Sequence, residues 1–368
     1  MLHDVCLELE KLWEIVTNMT SAPLTKESFR LPTGQAVRIV ARSHLQRALG
    51  KAARLVTEAA AMSEPPAADP HAADPEAVHD FRVALRRLRS WLRAFQPFLD
   101  DTVKASVGRR LRRIARVAGR ARDLEVQSHW LQTLPPATPR LALDAAHWLI
   151  ARNAEEYADA RRKLANDIND DLPKLASKLG NQLRHYLLDI NVDAPERERS
   201  LGEVMAQLLR EHRARVTASL AKVKTGEQRA AVHAARIAVK RLRYLLESLD
   251  DISRSARTHG RRLALLQNVF GELHDAQVLS ARIVGEFVTR SGRGVRRRGA
   301  TDSNSSGEPS RRAWLALQRQ LGFRVNAQAG RALRAAHSRA TERSLVAIDA
   351  VARSLESRQT KFFSPKHE

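Results

Sequence analysis

The sequence is poor in several things, and each scarcity removes a class of function. Cys6 is its only cysteine among 368 residues, so no internal disulfide and no zinc site built of cysteines can form. Aromatic residues make up 5% of the chain, too few for the base-stacking platforms of single-strand nucleic-acid binders. Acids are outnumbered, with 41 Asp and Glu against 63 Lys and Arg, a net charge of +22. No apolar run approaches the ~18 residues of a membrane span. Met1-Leu2-His3-Asp4 lacks a basic leader. A soluble, cytoplasmic protein is expected. Period-two alternation is missing, so no sheet is expected. There is no glycine-rich phosphate loop, no His-Glu-x-x-His and no acidic cluster for two metals. No catalytic residue, metal ligand or cofactor is assigned, and the protein reads as a non-enzyme.

What is present is arginine at helical spacing. In Val78 to Arg93 the residues Phe81, Leu85, Leu88, Leu92 and Phe95 recur at three- and four-residue steps, as a buried helix face requires. His79, Arg82, Arg86, Arg89 and Arg93 lie within an arc of roughly 80° bordering that face. They sit at the seam, where a second packed helix closes a basic groove. Asp80 is the only acid among them, so neighbouring ion pairs cannot neutralise them. A bound anion is the expected compensation.

The stretch repeats. His233, Arg236, Lys240, Arg241 and Arg243 stand 154 positions after His79, Arg82, Arg86, Arg87 and Arg89. A second pair agrees at an offset of 152: Arg109, Arg110, Leu111, Gly119, Asp123 and Val126 return as Arg261, Arg262, Leu263, Gly271, Asp275 and Val278. The chain therefore carries an internal duplication of about 150 residues. The copies are unequal, because Arg113, Arg116 and Arg120 correspond to Leu265, Asn268 and Glu272. Asp123 and Asp275 are expected to buttress arginines or cap helices.

The expected organisation is an N-terminal extension over 1–33, a first repeat over 34–190, a linker over 191–200 and a second repeat over 201–360. The extension carries an acidic amphipathic helix that docks on the body or on a second chain. A mobile basic loop is expected over 291–309. Helices are expected to break near Gly119, near Gly271 and ahead of Pro173, with Asp100 or Asp101 capping the helix of Arg109.

Net charge of this size calls for a polyanionic partner. The stripes offer forks for phosphate oxygens and almost nothing for base edges, since only Ser90 accompanies them. A base-free phosphate polymer fits best. A nonspecific binder of RNA or DNA backbone is the alternative, and an accessory subunit of a phosphoanhydride-processing enzyme is a third.

His79 to Arg93 and His233 to Arg243, with Gly119-Arg120-Ala121-Arg122-Asp123-Leu124 and Gly271-Glu272-Leu273-His274-Asp275, resemble the CHAD family over about residues 34 to 358. The resemblance implies an all-α fold of two four-helix bundles with pseudo-twofold symmetry and a basic central channel. It implies binding of inorganic polyphosphate and association with polyphosphate granules in bacteria. Carried over by position, it implies His79, Arg82, Arg86, Arg87 and Arg89 as phosphate ligands, with His233, Arg236, Lys240, Arg241 and Arg243 in the second copy. Arg109, Arg113, Arg116 and Arg120 are expected to line the same channel, as are Arg38 and Arg42.

Overall fold

A computed structural model describes residues 25–61, 75–100, 102–184, 199–226, 228–296 and 309–360. The N-terminal acidic helix and most of the 191–200 linker and the 291–309 loop lie outside them. Nine α-helices run through the described residues: α1 Thr33–Ala61, α2 Pro75–Ala94, α3 Ala105–Gln132, α4 Arg140–Arg184, α5 Leu201–Ala221, α6 Arg229–Glu247, α7 Arg254–Arg296, α8 Arg311–Ala336 and α9 Arg339–Thr360. Among the described residues a single β-bridge joins Pro32 to Ser200.

Helix α2 shows how sequence becomes fold here. Pro75 occupies its first position, where the missing N–H costs nothing. Phe81, Leu85, Leu88 and Phe95 are fully buried, each contributing about 1.5–3 kcal/mol by leaving water. Trp91 is buried beside them and donates its indole N–H to the Val37 carbonyl on α1 at 3.0 Å. Helix α6 repeats the plan with smaller residues, burying Val232, Ala235, Val239, Leu242 and Leu246.

Helices α1 to α4 form a ring in which each contacts the next and α4 returns to α1. Helices α5, α6, α7 and α9 form a second ring, while α8 lies along α7 and α4. Between the rings α1 touches α5, α2 touches α6 and α3 touches α7. Three helices of the first ring thus meet helices at the same place in the order of the second. The starts of α1 and α5 are tied as well. Thr33 N donates to Arg199 O at 3.1 Å, and Leu201 N donates to Leu31 O at 3.1 Å.

The main apolar core runs without a break from Phe29 to Leu355 and so includes both rings. A second cluster joins Trp130, Leu131 and Leu149 to Leu279, Ile283, Trp314 and Leu317, binding the ends of α3 and α4 to α7 and α8. Trp148 and Trp314 meet edge to face there, with centroids 5.7 Å apart.

Several expected boundaries are corrected. Helix α3 runs straight through Gly119 and α7 through Gly271. Pro173 lies inside the 45-residue α4 and does not divide it. Helix α3 begins after Lys104 with no side-chain cap, so Asp100 does not cap it; Asp101 lies outside the described residues. Helix α7 continues to Arg296, which places the first part of the expected 291–309 loop in a helix.

Candidate functional site

The groove expected from the two stripes corresponds to the place where α2, α3, α6 and α7 converge. Arg82, Arg86 and Arg89 are half-buried on α2, and Arg236, Lys240 and Arg241 are half-buried on α6. The two sets share one electrostatic field. Arg86 acts on both Arg236 and Lys240, Arg89 acts on Lys240, and exposed Arg93 acts on Arg241. None of Arg82, Arg86, Arg89, Arg93, Arg236, Lys240 or Arg241 makes an ion pair with another described residue. The Arg236 Nε is buried without a hydrogen-bond partner. Asp80, the only acid in the first stripe, is taken by Lys51 of α1 at 2.7 Å.

Crowded cations that leave water lose affinity for protons. Burial lowers Arg82 to about 10, with Arg86 adding repulsion. Lys240 falls to about 8, first through burial and then through Arg236, Arg86 and Arg89. His79, open to solvent at the head of the α2 stripe, is lowered by partial burial and by Arg122, Arg86 and Arg82. His233 heads the α6 stripe and packs its ring 5.8 Å from that of His274. Burial, Arg236 and His233 bring His274 down to about 4.

Two carboxylates sit on the same floor. Asp123 on α3 and Asp275 on α7 lie mid-helix, so neither is a cap. Both feel Arg82, Arg122 and Arg236, yet neither forms an ion pair with another described residue. Confinement raises both above the usual aspartate range, and the added repulsion of Asp123 brings Asp275 to about 6. No group of three or more His, Cys, Asp or Glu suited to a metal ion occurs among the described residues.

The structure separates the expected ligands into groups. His79, Arg82, Arg86, Arg89, Arg93, His233, Arg236, Lys240 and Arg241 gather at the groove. Arg87 and Arg243 do not: both turn to Glu247, at 3.4 and 2.7 Å, on another side of the α2–α6 contact. The Arg243 guanidinium also lies 4.6 Å from the Tyr244 ring. Arg38 is buried and donates to the carbonyls of Gly34 and Phe98, at 2.9 Å each, and to Thr102 Oγ1 at 2.8 Å. It is a structural tie beneath α1, not a channel residue. Arg42 faces Arg184 at the end of α4. Arg113 pairs with Asp167 and Asp171, and Arg120 pairs with Glu156, all on α4. Arg109 and Arg116 are exposed on α3 and unpaired among the described residues.

Sequence reasoning overlooked Arg112, Arg122 and His274. Arg112 acts on Arg89, and Arg122 acts on His79, Arg82 and Asp275. The signal was present: Arg122 precedes the repeated Asp123, and His274 precedes Asp275.

Fold and site together define an all-helical protein with a cationic groove between two helix rings. The CHAD domain family model matches residues 60–284, more than half of the chain. The chain belongs to the CHAD domain family. Its fold is similar to that of a solved plant structure, the CHAD domain from Ricinus communis, with a TM-score of 0.59. Sequence identity is 20%, over 87% of this chain and 99% of the plant chain. No curated protein matches the sequence. No helix among the described residues is long and apolar enough to cross a membrane.

Proposed function

We propose that this protein binds inorganic polyphosphate in the groove between α2 and α6, holding the polymer without cleaving it. The observation that carries this reading is the set of unpaired, half-buried cations Arg82, Arg86, Arg89, Arg236, Lys240 and Arg241, converging from two helices. Desolvated cations without partners repel one another, and a phosphate chain relieves that repulsion at every unit. Guanidinium forks suit its oxygens, and released counterions add to the affinity. The lack of stacking surfaces supports a polymer without bases. Phe81, Trp91 and Phe95 are buried in the core, so none of these three gives the groove a Phe or Trp platform for bases. Association with polyphosphate granules would follow from this affinity. So would a symmetric pair of repeats acting as the two walls of one channel.

The test is calorimetric titration with long-chain polyphosphate, single-stranded RNA and duplex DNA at ~50 and ~200 mM salt, the range in which phosphate-driven binding changes most. Polyphosphate binding should survive the higher salt better than nucleic-acid binding. Arg82→Glu with Arg86→Glu, and Arg236→Glu with Lys240→Glu, should each weaken binding by roughly a hundredfold or more, with unchanged helix content by circular dichroism. Unchanged affinity in both variants would remove the groove assignment. Equal binding of all three polymers, lost together with salt, would favour the nucleic-acid reading.

A further inference from the structure

Lys240 breaks the arginine pattern at its centre. It occupies the position that Arg86 holds in the first copy, and the two stand on helices that touch, close enough for Arg86 to act on Lys240. Every other cation that converges there is an arginine or a histidine. Among the described residues Lys240 is therefore the one primary amine in this cationic set, and it makes no ion pair with another of them. Its charged surroundings come from three helices. Arg236 and Arg241 stand on its own helix, Arg86 and Arg89 on α2, and His274 on α7.

An amine so placed meets the two needs of an acylation site. The surrounding guanidiniums can hold the phosphate of an acyl phosphate, which brings its carbonyl carbon to Nζ. The amine must also be available unprotonated. With Lys240 at about 8, about a quarter of it is neutral at pH 7.5, against about one part in a thousand for an ordinary lysine.

We propose that Lys240 is a site of covalent acylation by small acyl phosphates, a modification that removes the central amine charge of the groove. The neutral Nζ attacks the acyl carbon and forms an amide bond. The bond from that carbon to the phosphate oxygen breaks, and the phosphate leaves with the bonding electrons. The amine proton passes to the departing phosphate. The proposal rests on the groove as a phosphate site. A bound polyphosphate would block it twice, by occupying the arginines and by returning Lys240 to its ammonium form.

The experiment incubates the full chain with acetyl phosphate and maps acetylated lysines by peptide mass spectrometry over time. Lys240 should label roughly tenfold faster than exposed Lys104, Lys174 and Lys178, because its larger neutral fraction outweighs its lower basicity. The charge-preserving Lys240→Arg variant should lose that fast site and keep the slow ones. Acetylation at Lys240 no faster than at the exposed lysines would overturn the proposal. An uncharged reagent, N-hydroxysuccinimidyl acetate, is run in parallel. An equal preference for Lys240 with both reagents would overturn the phosphate-recruitment step. Polyphosphate is titrated separately onto unmodified protein. Fast labelling of Lys240 without polyphosphate affinity would reject the polyphosphate reading and uphold acylation. Affinity without labelling would do the reverse. Protein acetylated at Lys240 should bind polyphosphate at least tenfold more weakly, and unchanged affinity would show that the modification has no control over the groove.

Discussion

Asp123 and Asp275 place negative charge on the floor of a groove otherwise built of cations, and their protonation sets how much of it a polyanion meets. A bound phosphate chain repels both carboxylates and raises their pKa further, so binding takes up protons. Affinity for polyphosphate should therefore rise as pH falls from ~7.5 towards ~5.5, since Asp275 titrates at about 6. Asp123→Asn with Asp275→Asn should bind severalfold more tightly at pH 7.5 and lose most of that dependence. What remains belongs to Lys240, at about 8, and to His79 and His274, both held below the usual histidine range. Stability changes with the opposite arithmetic. A carboxylate raised on folding contributes most below its unfolded pKa, and that contribution is lost as pH rises through about 6. The double variant should accordingly melt higher than the parent at pH 7.5 and no higher at pH 4, as scanning calorimetry can check. Arg38 belongs to the same scale with a different role. Arg38→Ala removes donors from buried acceptors and should cost about 2–4 kcal/mol in urea unfolding. Polyphosphate affinity should stay within about twofold, because the side chain never reaches the groove. The sequence gives no means to separate Arg38 from Arg86, or Arg87 from its neighbours, because Phe98, Thr102 and Glu247 approach Arg38 and Arg87 only when helices pack. Arg243 is different, since Glu247 follows it by four residues on the same helix and the pair can be read from spacing.

At the scale of elements, α3 and α7 are counterparts with unlike faces. Helix α3 shows Arg109, Arg112 and Arg116 to solvent, where α7 has Arg261, Ala264 and Asn268. The ion pair of Arg113 with Asp167 on α4 has no equivalent on α7, which carries an exposed Leu265. A long polymer should leave the groove over α3. Replacing Arg109, Arg112 and Arg116 by Ala should weaken chains of ~100 phosphates about tenfold and leave ~10-unit chains within about twofold, since only the longer ones reach those charges. Equal losses for both lengths, measured by competition titration, would place these three arginines inside the central groove instead. Helix ends were less legible than helix faces. Interior glycines cost only about 1 kcal/mol, which the burial around Gly119 and Gly271 outweighs. Pro173 costs more, about 3 kcal/mol, but Leu172, Leu175, Ala176 and Leu179 along the same stretch are fully buried and hold the helix together. The break that does occur, between α8 and α9, carries no glycine or proline. It falls at His337, whose Nε2 lies 3.0 Å from the Val223 carbonyl oxygen, and at Ser338, whose hydroxyl accepts from Thr341 N at 3.2 Å.

For the whole molecule, spacing revealed more than composition. The all-helical fold could be read from period alone, and the duplication from two offsets. The arrangement of the rings could not, because nothing in a repeat states which surface meets its copy. That arrangement has a consequence for direction. With a twofold axis between α2 and α6, turning a ligand end for end would exchange Arg82 for Arg236 and Arg86 for Lys240. A nucleic-acid strand, with distinct 5′ and 3′ ends, would find no preferred heading along such a floor. Polyphosphate has identical ends and so no heading to choose. Only the uneven face of α3 then decides on which side the surplus length lies.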